Sequence, residues 1–191
     1  MTLIAVPFNL RDGDERKAAR ILDGVLALPN FFPLPGTQDE RRLLIAGLLT
    51  NGSNRVWEVW NGGEICGIFI LTAIAPRLDG EAHFAFFDRQ LLSRRTLILN
   101  MLGKAFHDLE LERITVELPE HLTTLIRFAR TKLGFRYEGE AQAEEHFGIE
   151  KAAFVAKLGS RRERSYWRAD KECWVDTIRL RLLRTEYERG R

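Results

Sequence analysis

The chain has 191 residues, 45% of them hydrophobic, and a formal net charge of +2 at pH 7. This length allows one domain with a substantial core, and the small net charge argues against a protein whose whole surface binds polyanions. No run approaches the roughly 18 apolar residues that a membrane span requires. The N-terminus lacks the basic flank and long apolar stretch of a signal peptide, so a cytoplasmic protein without a membrane partner is expected.

Basic residues concentrate near the C-terminus. From Lys157 to Arg191 there are 11 Lys/Arg and 6 Asp/Glu, a surplus of five. Such a segment attracts nucleic acid or an acidic protein, although an ordinary solvated face has the same composition. Because no nucleic-acid-binding motif accompanies the surplus, nucleic acid ranks last among the expected partners.

The cysteines and histidines indicate neither a disulfide nor a metal site. Cys66 and Cys173 lie far apart in the sequence, which is typical of two reduced cysteines in an intracellular protein. The four histidines have no metal-ligand spacing. No metal is therefore predicted.

The first half of the chain is predicted to hold an edge strand, two helices and a hairpin. Asp14 is a suitable N-cap for the first helix. Asn61-Gly62-Gly63 lies between two apolar runs and predicts a tight hairpin, because both turn positions favour positive φ. The predicted bounds are strands at 2–8, 55–60 and 64–73, and helices at 15–28 and Gln38–Leu49.

The second half alternates strands and helices. Residues Glu112–Leu118 alternate between apolar and polar side chains, which indicates a strand. Gly134 follows an apolar helical stripe and is predicted to be a left-handed C-cap. Arg161–Arg168 fits either a strand or a loop. The predicted bounds are strands at about 81–87, Glu112–Leu118, 135–140 and Cys173–Arg184, and helices beginning near Ser93 and Pro119 and spanning Ala143–Leu158.

Three motifs in register resemble the GCN5-related N-acetyltransferase (GNAT) family. Leu118-Pro-Glu-His followed by residues 126–139, which end in Gly-Phe-Arg-Tyr-Glu-Gly, is similar to the family's last core helix and the strand after it. Residues 174–184 resemble its closing strand. The segment 83–88 is also faintly similar to acetyltransferase-like proteins encoded by tailed bacteriophages. The order of predicted elements matches the family along nearly the whole chain.

This resemblance implies an α+β, three-layer fold: a mixed, twisted sheet of about seven strands with helices on both faces. We expect one domain over 1–191, with an inserted segment at about 141–171. Phe147, Phe154, Tyr166 and Trp167 lie among charges in that segment. Aromatic residues interleaved with arginines suit a protein interface, but they equally suit cover for the open end of the sheet.

The resemblance also implies acetyl-CoA as acyl donor. In the family the pantetheine arm pairs with the first of two splayed central strands, and the pyrophosphate lies on the turn before the long helix, where N–H groups and the helix dipole favour anions. The family's glycine-bearing turn motif is replaced here by glycine-free residues from Asp88 onwards. Arginines that contact the phosphates, or solvated arginines at a helix start, both account for that composition. The predicted donor-binding residues are Phe84, Ala85, Phe86, Phe87, Arg89, Ser93, Arg94, Arg95 and Thr96.

Transfer to an amine requires a base, and the central strands supply the candidates. His83 has a near-neutral reference pKa and is predicted to lie on the first splayed strand, with Glu117 on the second. Glu81 and Glu58 are the next candidates for a general base. Arg130 occupies the helix position where many family members have a tyrosine acid, so an acid step from that helix is not predicted. Each of these side chains also has an ordinary structural interpretation.

Two functional hypotheses follow. The first is an N-acyltransferase that passes an acetyl group directly from acetyl-CoA to an amine of a small molecule or protein, within a ternary complex. The second is a binding or assembly protein that keeps the fold without the donor site, such as a phage virion or host-interaction component. A protein partner would then use 141–171 and the basic C-terminal segment, and the protein would be virion-associated if phage-encoded. A homodimer is compatible with either hypothesis.

Overall fold

The computed structural model describes residues 3–9, 15–28, 31, 36–88, 90–91, 94–140, 145, 149–168 and 171–190. Predictions that concern Asp14, Arg89, Ser93 and the first residues of the 143–158 helix lie outside these ranges. The strands are β1 Leu3–Pro7, β2 Arg55–Asn61, β3 Glu64–Ala75, β4 Asp79–Phe86, β5 Arg113–Pro119, β6 Arg136–Tyr137, β7 Arg161–Arg168 and β8 Cys173–Leu183. The helices are α1 Glu15–Leu26, α2 Gln38–Thr50, α3 Arg95–Asp108, α4 Thr123–Leu133, α5 Ile149–Gly159 and α6 Arg184–Arg189.

The described strands form one mixed sheet in the order β1-β2-β3-β4-β5-β8-β6, and β7 also pairs with β8. Consecutive strands from β1 to β4 pair antiparallel, β4 and β5 are parallel, and β8 returns antiparallel to β5. The predicted α+β mixed sheet is therefore confirmed.

The two parallel central strands separate part of the way along. β4 pairs with β5 only through Asp79↔Arg113, Gly80↔Ile114 and Glu81↔Thr115, yet β4 continues to Phe86 and β5 to Pro119. Beyond Glu81 these strands make no pairs with each other. A gap therefore opens in the middle of the sheet.

Each face of the sheet has its own hydrophobic core. One core packs α3 and α4 against residues such as Phe69, Phe86, Ile114 and Leu180. The other packs α1 and α2 against residues such as Ile68, Ile70 and Ala85. Because successive strand residues point to opposite faces, Glu81, His83 and Glu117 share the α1/α2 face.

Most local signals in the sequence correspond to the observed elements. Gly62 and Gly63 have φ of 58° and 95° and join Asn61 to its partner Glu64, as the hairpin prediction requires. The prediction for Pro119 is wrong, because this residue ends β5 and α4 begins at Thr123. The chain also continues past β8 into α6, which the sequence pattern did not indicate.

Gly134 is the C-cap of α4, with φ 84° and ψ 10° and its N–H donating to the carbonyl of Ala129. Replacing it by alanine is expected to lower the free energy of unfolding by about 1–2 kcal/mol, because a β-carbon disfavours the left-handed conformation. Urea unfolding of the G134A protein measures the loss. Gly47, exposed within α2 with open space around its β-carbon position, is the control. G47A should be neutral or stabilising, and equal destabilisation of both variants would contradict this account.

Among the residues that the structure describes, no helix combines the length and apolar composition that crossing a bilayer requires.

Candidate functional site

A cavity of about 570 Å³ occupies the gap between β4 and β5. On the α3/α4 face its walls are apolar side chains, and they include Phe84, Phe86, Ile98, Leu125 and Ala129. On the α1/α2 face, Glu81, His83, Glu117, Tyr166 and Thr177 are among the lining residues. The cavity thus joins an apolar compartment on one face of the sheet to a polar compartment on the other.

His83 lies at the centre of the polar compartment. Its Nε2 atom is 2.9 Å from the hydroxyl oxygen of Thr72 and 3.7 Å from a carboxylate oxygen of Glu81. Burial lowers the pKa of His83 below its usual 6.5, and the carboxylates of Glu81 and Glu117 act in the opposite direction. Because 37% of the side chain is still accessible, the neutral ring can exchange a proton with a bound molecule.

Glu117 lies on the neighbouring strand of the same compartment. The hydroxyl of Thr177 on β8 donates a hydrogen bond to its Oε1 atom. This bond fixes the carboxylate at the wall of the cavity, where it can attract an ammonium group. The structure therefore brings together the three predicted catalytic residues, and their catalytic roles remain predictions.

Glu58, the fourth base candidate, is used elsewhere. It is 3% exposed on β2, its Oε1 atom is 3.0 Å from Nζ of Lys17, and its Oε2 atom accepts a hydrogen bond from the Trp60 indole. The side chain does not line the cavity. Its contacts hold α1 against the sheet.

The backbone of β4 faces the gap with hydrogen-bonding groups. The N–H of Phe87 donates to the carbonyl of Cys66 on β3, directly opposite in the ladder. In an antiparallel pair, alternate residues direct their N–H and C=O groups away from the partner strand. Phe84 and Phe86 therefore direct theirs towards the gap, where a ligand backbone can pair with them.

The other two predicted strand residues face the α1/α2 side. Ala85 is fully buried in that core. The ring of Phe87 packs against α1 so closely that a β-carbon on Gly24 would lie 2.7 Å from it. By the alternation described above, the N–H and C=O groups of these two residues are directed towards β3, so their contact with a donor stays a prediction.

The turn between β4 and α3 binds its own backbone. The Asp88 side chain accepts from the N–H of Gln90 at 2.9 Å, and the Asp88 carbonyl accepts from the N–H of Leu91 at 3.0 Å. The N–H of Arg94 donates to the carbonyl of Leu91. These bonds engage three N–H groups close to where the resemblance places the pyrophosphate.

The arginine side chains after this turn differ in direction. Arg95 donates from Nε to the carbonyl of Lys132 at 2.7 Å, and its Nη2 atom lies 3.4 Å from the carbonyl of Gly190. It thereby caps the C-terminal end of α4. Arg94 and Thr96 are exposed at the start of α3. Donor binding by these residues stays a prediction.

Arg130 belongs to a separate cluster behind α4. Its Nη2 atom lies 2.8 and 3.0 Å from the two carboxylate oxygens of Glu140, and its guanidinium lies 4.0 Å from the centre of the Tyr137 ring. The residues of α4 that line the cavity are apolar, among them Leu125, Ala129 and Leu133. The described part of α4 supplies no acid to the cavity.

Tyr166 is a cavity residue that sequence reasoning did not assign to the site. It lies on β7 opposite Val175, is 7% exposed, and its hydroxyl oxygen is buried without a hydrogen-bond partner among the described residues. Burial raises the pKa of this phenol, with the nearby positive charge of Arg41 opposing the shift. The sequence signal was only an aromatic residue among arginines.

No protein-family model matches the chain, and no curated protein sequence matches it at a significant level. The chain does match solved structures of N-acetyltransferases. Spermidine N-acetyltransferase from Vibrio cholerae in complex with CoA and spermine is similar with a TM-score of 0.66 at 18% identity, over 97% of this chain and 98% of that one. The same organism's spermidine/spermine N-acetyltransferase SpeG in complex with manganese ions gives 0.64 at 17%, over 98% and 95%.

A chimera of SpeG and hSSAT gives a TM-score of 0.63 at 18% identity, over 97% of this chain and 98% of that one. At these identities the likeness concerns the fold. The chain has the fold of the GNAT acetyltransferases, as the resemblance implied.

Proposed function

We propose that the protein is an acyl-CoA-dependent N-acyltransferase that transfers an acetyl group from acetyl-CoA to an amine. One observation carries this proposal: the cavity in the β4–β5 gap has an apolar compartment on one face and His83, Glu81 and Glu117 on the other. The solved SpeG complex with CoA and spermine has the same fold. It supports a CoA donor and an amine acceptor for this chain.

The donor side of the cavity fits a pantetheine arm. Phe84 and Phe86 offer backbone groups at the gap, and apolar side chains of α3 and α4 surround the path beyond them. When bound, acetyl-CoA supplies the activated acyl group. Backbone N–H groups facing the gap are suitably placed to stabilise negative charge on the thioester oxygen.

The acceptor side supplies attraction and a base. Glu81 and Glu117 attract the ammonium form of the amine, and neutral His83 accepts a proton from it, which frees the lone pair that attacks the acyl carbon. An alkyl thiol such as that of cysteine has a reference pKa of about 8.5, so a thiol of this kind can depart as a thiolate without an acid on α4, and the thiolate then takes up the proton that the acylated nitrogen loses. Attack takes place directly, with both substrates bound.

The turn between β4 and α3, whose N–H groups are already hydrogen-bonded within the turn, favours a second candidate function. Asp88 holds the N–H groups of Gln90 and Leu91, and Arg95 is directed to α4. If this turn does not open for phosphates, the fold serves as a binding or assembly module without a donor. The two functions differ in one measurable property, the affinity for coenzyme A.

Calorimetric titration with acetyl-CoA and with coenzyme A tests the donor site. We expect micromolar binding of both, with Arg94 contributing a phosphate contact, so that R94S weakens binding roughly tenfold. The control is R55S, because Arg55 is also exposed but bonds to backbone carbonyls at the start of β2. No binding at millimolar ligand would reject the acyltransferase and favour the second candidate. Binding should be followed by release of the free thiol when an amine is added.

A further inference from the structure

The polar compartment contains two chemically different kinds of group. Glu81 and Glu117 carry negative charge, and no lysine or arginine lines the cavity among the described residues. Tyr166 also lines the cavity, and the guanidinium of Arg41 on α2 is close enough to influence the ionisation of its phenol. Phe31, Leu44 and Leu48 are apolar lining residues of the same compartment.

The strand register places Tyr166 on the acceptor face. Tyr166 is directly opposite Val175, and residues opposite each other in an antiparallel pair share a face. Val175 and Thr177 are two residues apart and therefore also share a face. Since Thr177 donates to Glu117, Tyr166 and the carboxylates of the cavity lie on one side of the sheet.

The Tyr166 hydroxyl is a donor in need of an acceptor. Nearly all buried polar groups in native proteins have a hydrogen-bond partner, and this oxygen has none among the described residues although the side chain is 93% buried. The raised pKa keeps the phenol protonated. The neighbouring guanidinium further favours an electron-rich partner such as a carbonyl or carboxylate oxygen.

We propose that Tyr166 determines acceptor specificity by donating a hydrogen bond to an oxygen of the acceptor, while the ammonium group of the acceptor is held by Glu81 and Glu117. The acceptor is thus an amine that also carries a carbonyl or carboxylate oxygen. This inference rests on the proposed function for the identity of the site as an acceptor site. It excludes a purely cationic amine as the preferred acceptor, since such a molecule offers the phenol no oxygen.

The test compares three amines of equal length: hexylamine, aminohexanamide and aminohexanoate, each with its amino group on the terminal carbon. Calorimetry in the presence of coenzyme A measures their affinities, with longer and shorter homologues included. We expect an oxygen-bearing probe to bind roughly tenfold more tightly than hexylamine, the scale of one net hydrogen bond. In Y166F, which removes only the hydroxyl, this ratio should fall to about one.

The control is Y187F. Tyr187 is also buried, but its hydroxyl donates to the carbonyl of Leu99, away from the cavity. Losing that bond should lower the melting temperature and leave the ratio between probes unchanged. A preference for aminohexanoate assigns the oxygen to a carboxylate near Arg41, and a preference for aminohexanamide assigns it to a neutral carbonyl.

The inference is overturned if the unmodified protein binds the three probes equally or binds none, or if Y166F keeps the original ratio. Acyl transfer to the same probes is measured separately. Selective binding without transfer would reject the proposed function and leave Tyr166 as a residue that selects the bound amine, whereas transfer without selectivity would support the proposed function and reject the role of Tyr166.

Discussion

Replacing His83 by alanine is expected to slow acyl transfer roughly 10²- to 10⁴-fold, the usual contribution of a general base. The loss should appear in kcat, because Glu81 and Glu117 remain to attract the ammonium group. Steady-state kinetics with acetyl-CoA and an accepted amine measures it. E117Q should instead act mainly on KM for the amine, since it removes a charge and leaves the ring of His83 in place.

The matched control for His83 is Thr72→Val. Thr72 lies 2.9 Å from Nε2 of His83, so this variant keeps the imidazole and loses its neighbour. We expect a loss of roughly tenfold, the scale of one hydrogen bond. If T72V and H83A lose turnover equally, the loss in H83A comes from disturbing the cavity wall and not from removing a base. An unchanged kcat in H83A together with an unchanged KM for the amine in E117Q would remove both residues from the mechanism.

The pH profile gives an independent check on the base. Because burial holds the pKa of His83 below 6.5, the ring is neutral at pH 7 and becomes protonated only in more acidic solution. A base acts in its deprotonated form, so kcat/KM should fall as pH drops through that lowered pKa. The acidic limb should disappear in H83A. A limb that is centred above 6.5 would contradict the assignment.

Local patterns in the sequence predicted much of the scaffold. The alternation in β5 placed Ile114 and Val116 on one face and Glu117 on the other, and the glycines at 62, 63 and 134 occupy the positive-φ positions that their contexts indicated. These features depend on neighbours within a few residues. The physical causes, pleat alternation and the steric cost of a β-carbon, can be read directly from the sequence.

Long-range contacts determine which side chains line the site, and local sequence patterns do not indicate such contacts. Tyr166 reaches the cavity through the pairing of β7 with β8, whose register shifts between Arg162 and Tyr166. Arg95 is a predicted phosphate contact, which stays a prediction; in the structure its guanidinium bonds to the carbonyl of Lys132, 37 residues away. Nothing in the spacing of charged residues distinguishes a phosphate contact from a helix cap.

Arg130 is a second residue whose contacts the local sequence pattern did not predict, and these contacts are expected to contribute to the stability of the fold. Its position four residues before Gly134 suggested a comparison with a catalytic tyrosine, but its guanidinium binds Glu140 and packs on Tyr137. Glu140 is 6% exposed and also accepts from the N–H of Tyr137 at 2.9 Å. This cluster joins the end of α4 to β6. In the sheet β6 is the neighbour of β8, and Thr177 of β8 lines the cavity.

Replacing Glu140 by alanine is expected to lower the free energy of unfolding by about 3 kcal/mol, because it leaves a largely buried guanidinium and a backbone N–H without their acceptor. Glutamine keeps one acceptor oxygen and should cost about half as much. Urea unfolding measures both variants. The double variant R130M/E140L removes both charges and should recover most of the loss, since apolar replacement of a buried ion pair is often neutral.

The same variants separate structure from catalysis at Arg130. If the cluster only supports α4, R130M/E140L should be folded and should retain turnover within a few-fold, because no atom of either side chain lines the cavity. A large loss of kcat in a stable double variant would instead assign Arg130 a role in the reaction. Destabilisation by E140A of less than about 0.5 kcal/mol, the range of ordinary surface substitutions, would show that the ion pair contributes little to the fold.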